Sequence, residues 1–140
     1  MSRTTLRLLA ATALVLLSLA RTAAAGQFED ELLLLVNRYR SSKKLKPLAV
    51  SPLYTDLARG HSQTMQGQQS LGHDGFDERF RRAADARSCV ENVGEGHETP
   101  GRLFNDWRKS SGHNRNMLDR RIRRAGIGRS GTYVTLFACY

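Results

Sequence analysis

The chain has 140 residues, with 22 Lys and Arg against 13 Asp and Glu, a formal net charge of +9. That length holds one packed core. The basic balance favours anionic company, such as bacterial envelopes, acidic polysaccharides or phospholipid headgroups; it predicts weak nucleic-acid binding without specificity, and solubility alone explains it more simply.

The first 25 residues read as a secretory signal. Arg3 and Arg7 form a positive start, Leu8 to Ala20 carries no charge, and Ala23-Ala24-Ala25 supplies a small-residue cleavage site. The uncharged run is 13 residues long and Arg21 closes it, whereas a spanning helix needs about 20 apolar residues. No cysteine precedes Cys89, which excludes a lipid-anchored lipoprotein. Cleavage after Ala25 leaves a single domain over 26–140, 115 residues with a net charge near +6. It is expected in the periplasm or the medium, with no transmembrane segment after signal removal. Its two cysteines, Cys89 and Cys139, argue for one disulfide in an exported chain; two buried thiols are the alternative. The absence of Cys-x-x-Cys gives no support to redox catalysis.

In chain order, Phe28, Leu32, Leu35, Val36 and Tyr39 recur at helical spacing, with acidic residues at the start and arginines at the end, which suits a helix dipole. A basic connector runs from Ser41 to Lys46. Ser51-Pro52 starts a second helix, carried by Leu57, His61 and Met65 to about Gly67. Gly72 to Gly75 is a turn, and Phe76 to Ala86 a short Arg-rich helix. Ser88 to Val93 is a strand, which Gly94 and Gly96 break. Thr99-Pro100 opens a helix bearing Leu103, Phe104 and Trp107. Gly112 ends it, and a helical turn follows through Leu118. Ala125–Ile127 and Thr132–Tyr140 are strands, with Gly128 to Gly131 as their turn. Both faces of the last strand are apolar, so it should be central or covered on both sides. Helices first and a hairpin last predict an α+β layer fold.

The chemistry-bearing residues sit among small, turn-forming neighbours: Leu71-Gly72-His73-Asp74-Gly75, Val90-Glu91-Asn92-Val93-Gly94, and Ser111-Gly112-His113-Asn114. Together with Leu35-Val36-Asn37-Arg38-Tyr39-Arg40, Leu57-Ala58-Arg59-Gly60-His61-Ser62, Asn116 and Leu118, these segments resemble the CAP superfamily. This group, also called the SCP domain, contains cysteine-rich secretory proteins, antigen 5 and plant pathogenesis-related proteins, and the match is closest to its short bacterial branch. The resemblance covers nearly all of the mature chain. It implies a three-layer αβα sandwich with a cleft of two His and two acidic residues. His73, Glu91 and His113 match three of those positions. The fourth falls on Ser110, which leaves a His-Glu-His triad.

Two readings of the triad follow. It could hold Zn²⁺ or another divalent cation with an open fourth position, the stoichiometry of catalytic zinc sites; spacing alone carries no metal signal, so this rests on the resemblance. Alternatively, Glu91 bonds both imidazoles and stiffens the cleft. The corresponding functions are a secreted binding or interaction module, for a metal, lipid, glycan or peptide, and a secreted metal-dependent hydrolase. The residues favour the module over an enzyme. His61 reads as helix packing, His97 as a solvated loop residue, Trp107 as core, and Arg120, Arg121, Arg123 and Arg124 as a solvated face. Gly126, Gly128 and Gly131 spell G-x-G-x-x-G, but nine residues cannot supply the helix and strand a dinucleotide site needs, so they are read as hairpin glycines.

Overall fold

The computed structural model describes residues 26–83 and 86–140. The expected signal segment, 1–25, lies outside these, as do Ala84 and Asp85. The first helix, α1, covers residues 26–42, and its Phe28, Leu32 and Val36 are buried as one stripe. Arg40, on the same helix, is 1% exposed. Its guanidinium donates to the main-chain oxygens of Lys46 at 3.0 Å, Met117 at 2.8 Å and Asp119 at 3.0 Å. It clamps α1 to a loop almost eighty residues away.

A two-residue strand, β1 (Ala49–Val50), lies between the expected connector, 41–46, and Ser51, where the sequence reading assigns no element. The second helix, α2 (Pro52–Gln68), starts where Ser51 accepts a hydrogen bond from the Tyr54 amide, with proline in the first turn. Helix α3 (Phe76–Arg82) is shorter than the expected 76–86. Strand β2 (Cys89–Glu95) is longer than expected: Gly94 pairs within it, and the chain turns only at Gly96, whose φ is +78°. Thr99 caps α4 (Pro100–Lys109), and α5 (Ser111–Met117) takes Gly112 into its first turn instead of stopping there. Strands β3 (Arg124–Ser130) and β4 (Tyr133–Cys139) turn at Gly131, so Gly128 belongs to β3 and not to the turn.

The sheet order is β1-β3-β4-β2. Strand β1 runs parallel to β3, and the β2–β4 and β3–β4 pairs are antiparallel. Every residue of β4 is buried, as expected for a central strand. Its Val134, Leu136 and Ala138 pack with α1, Leu103 and Trp107 of α4, and Met117 of α5. Phe137 and Cys139 pack on the other face with Tyr54, Leu57 and Ala58 of α2. The result is the α+β, three-layer αβα sandwich.

Helix α2 lies directly on β3. A methyl group on Gly126 would come within 2.0 Å of the Thr55 amide nitrogen, and one on Gly128 within 2.1 Å of the Arg59 amide nitrogen. These glycines exist for close helix–sheet approach, not for a hairpin bend. Cys89 and Cys139 face each other across the β2–β4 ladder and form the expected disulfide, spanning a sequence separation of 50. Strand β2 is an edge, and the candidate site is built along it.

Candidate functional site

Strand alternation sends Glu91 toward the α2–α3 layer and Asn92 toward the α4–α5 layer. The Glu91 side chain is 1% exposed, and its carboxylate is heavily subscribed. Arg79 of α3 donates Nε–H to Oε2 at 2.7 Å and Nη2–H to Oε1 at 2.8 Å, a two-pronged, charge-assisted pair. His73 donates Nδ1–H to Oε1 at 2.9 Å. His61 of α2 lies 3.6 Å from the same oxygen, and its Nε2–H donates to the Gly72 carbonyl at 2.8 Å. Arg79 also reaches the Asp74 carbonyl at 2.8 Å, which ties down the loop bearing His73. The His73 side chain is 51% exposed. Its Nδ1 is committed to Glu91, so Nε2 is the ring atom available to a ligand.

His113 rises from α5, in the opposite layer. Asn92 donates to the His113 carbonyl at 3.1 Å, and Asn116 donates to the Glu91 carbonyl at 3.0 Å and to Asn92 Oδ1 at 2.9 Å. These amides pin α5 against β2 and so set where the His113 ring stands. That ring packs on Trp107 with centroids 6.2 Å apart. Burial pushes its pKa down, and the neighbouring His73 adds to the shift. Trp107 is itself held by a 2.9 Å bond from Nε1 to the Val93 carbonyl. A groove of about 310 Å³ at β2 is lined by Leu71, Val93, Leu103, Trp107 and His113. His97 and Asp106 close one end, joined at 2.8 Å.

The cysteine-rich secretory protein family, CAP, matches residues 33–140. The chain belongs to that family. It is 26% identical over 112 residues to the uncharacterized protein YkwD of Bacillus subtilis (strain 168), a match over 76% of this chain and 44% of the relative. An SCP-domain extracellular protein from Bacillus anthracis has a similar structure, with a TM-score of 0.78 at 24% identity over 82% of this chain and 41% of the other. A cysteine-rich secretory protein from Staphylococcus aureus gives 0.76 at 18% identity over 82% and 38%. An outer surface protein from Borrelia burgdorferi gives 0.72 at 16% identity, covering 79% and 90%. This CAP chain thus spans under half the length of YkwD and of the first two structures.

Within the CAP fold, two of the three expected cleft residues meet: His73 and Glu91 are hydrogen-bonded. The partners that the structure gives Glu91 are Arg79 and His73, with His61 nearby, and the His113 ring is not among them. The arrangement does not fit a divalent cation held by all three. Glu91 has donors on both oxygens, and a cation there would sit against a guanidinium. Among the described residues, no three His, Cys, Asp or Glu side chains converge so that they could hold a metal ion.

Three residues have roles that the sequence reading does not assign. Arg79 is one of several arginines on a short helix, and nothing in the sequence separates it from Arg81 and Arg82; the structure buries it and leaves Arg81 and Arg82 exposed. His61 does pack in the core as expected, but it also borders the Glu91 cluster. His97 is not simply solvated: its side chain is 20% exposed and bonded to Asp106, the residue before Trp107 on α4. That hydrogen bond holds the Asp106 carboxyl below its ordinary pKa. The Glu95-Gly96-His97-Glu98 loop beside the cleft was the available signal.

Proposed function

We propose that this CAP domain is an exported binding module, whose groove along the β2 edge takes a small ligand with an apolar body. Leu71 would hold that body above the buried Trp107, and the His113 imidazole in the groove, with His73 close to it, would read its polar end. One contrast carries the reading. Glu91 is consumed by Arg79 and His73, while the His113 ring and Nε2 of His73 have no hydrogen-bond partner among the described residues. An apolar groove with a few convergent polar groups is the usual form of a small-molecule site. A metal-dependent hydrolase on the same residues would need Glu91 free as ligand or base, and its oxygens are engaged.

Export is supported by the order of residues 1–25 and by a disulfide of the kind that persists in oxidising compartments. The similar proteins described as extracellular, secretory or outer-surface agree with it. No helix among the described residues is long and apolar enough to cross a membrane. The basic balance would keep the protein near anionic envelope surfaces.

Trp107 is the chain's one tryptophan, so its fluorescence reports on the groove directly. Titration with alkyl-chain amphiphiles should give a saturable change. Leu71→Glu, at an exposed position, and His113→Ala should each weaken it about tenfold or more. An unchanged titration in both variants would sink the proposal. Mass spectrometry of exported protein should find Gly26 as the first residue; a retained Leu8–Ala20 segment would refute the export reading.

A further inference from the structure

Arg79 is buried with a carboxylate that is buried more deeply still. A buried charge needs a partner, and Glu91 has two ways to obtain a positive one: a bound metal ion or a side chain of its own chain. Here the guanidinium fork faces the carboxylate edge to edge at 2.7 and 2.8 Å. A carboxylate has about four lone-pair positions, and three are filled by Arg79 and His73. A zinc ion would need to stand about 2.0–2.2 Å from one of these oxygens, inside the repulsion of Arg79. The same arginine holds the carbonyls of His73 and Asp74, at 3.4 and 2.8 Å.

We propose that Arg79 is the built-in cation of the cleft: it supplies the positive charge that a divalent ion would otherwise bring to Glu91. Glu91 then acts as a positioning residue. It accepts Nδ1–H of His73 and so presents Nε2 to the cleft, the way a carboxylate orients an imidazole from behind. This role for Arg79 rests on the same Glu91–Arg79–His73 cluster that the proposed function uses; zinc calorimetry reads the charge on the α2–α3 side of β2 and the Trp107 titration reads the groove, so the two failures are told apart.

Zinc titration of the purified protein by calorimetry tests it, with Arg79→Met and Arg79→Lys as variants. Removing the guanidinium frees Glu91 beside His73 and His61. Arg79→Met should therefore bind Zn²⁺ at least about tenfold more tightly than wild type. Arg79→Lys keeps a charge but loses the fork, and should fall between them. Two measurements that need no Arg79 variant decide the matter if those variants fail to fold. Two-bond ¹⁵N–¹H spectra should show His73 carrying its hydrogen on Nδ1, and zinc should bind no more tightly to wild type than to His73→Ala. Wild-type zinc binding that both His73→Ala and His113→Ala abolish would overturn the proposal. So would Arg79→Met binding no tighter than wild type, or a His73 ring with its hydrogen on Nε2.

Discussion

Arg40 shows what one side chain does when the interior gives it main-chain oxygens as partners. Its bonds to Lys46, Met117 and Asp119 satisfy carbonyls that no helix or strand would otherwise serve. Arg40→Met removes those donors and leaves buried acceptors unpaired, so it should cost about 3 kcal/mol in urea unfolding. Arg40→Lys cannot span the three oxygens and should recover little of that loss. A loss of a few tenths in either variant would contradict the clamp. His61 gives a pH prediction. Burial pushes its pKa down, with Glu91 and the Gly72 carbonyl pulling the other way. The fold therefore favours the neutral ring. That contribution is complete above the unfolded value of about 6.5 and is lost as pH falls below it. His113, lowered by burial and by His73, adds with the same sign. The urea midpoint should fall between about pH 7 and pH 5, and His61→Gln, whose amide can still donate to the Gly72 carbonyl, should flatten that fall. An identical slope in wild type and variant would count against it.

At the scale of elements, the α2–β3 contact sets the thickness of one layer. Gly126 and Gly128 have no room for a methyl group, because the backbone of α2 stands where a Cβ would be. Gly126→Ala should destabilise by about 1–3 kcal/mol through a forced backbone shift. Gly60, within α2 itself, has nothing within 4 Å of an added Cβ. Gly60→Ala should stabilise by about 0.5–1 kcal/mol, the ordinary helix-propensity gain. Thermal unfolding of the two variants should move in opposite directions; equal shifts would show that the close approach is not what Gly126 serves. The sequence marked α2 and α4 well, since both begin with a capping hydroxyl followed by proline. It marked strand lengths poorly. Gly94 and Gly128 look like breaks, yet both pair in the ladder, because facing helices need the space their missing side chains leave. A residue type that signals a turn locally can signal close packing globally.

For the whole molecule, the Cys89–Cys139 disulfide ties edge strand β2 to the central strand beside the C-terminus. With its ends 50 positions apart in sequence, loop entropy gives an upper figure of about 4 kcal/mol. Cys89→Ser/Cys139→Ser should lower the melting temperature by several degrees, and the bridge should leave no titratable thiol in unfolded, unreduced protein. Two free thiols would end that account. Strand β2 also carries Glu91, the Val93 carbonyl that holds Trp107, and the carbonyl read by Asn116. Loosening it should therefore blunt the Trp107 response to ligand as well as stability.

The sequence by itself determined the family resemblance, the α+β order of elements, the central position of β4 and a cysteine pair suited to one disulfide; the αβα layering and the cleft set of His73, Glu91 and His113 came only from that resemblance. The first four follow from periodicity, cysteine count and short motifs, all of which are local or additive. Only the tertiary structure decided which side of β2 each group faces. Alternation along the strand separates Glu91 from the layer bearing His113, and no reading of motif order reveals which layer α5 joins. Nor could the sequence single out Arg79 among the arginines of α3. That choice depends on the rotation of a seven-residue helix against β2, which is set by packing over distances that the chain's own order does not encode.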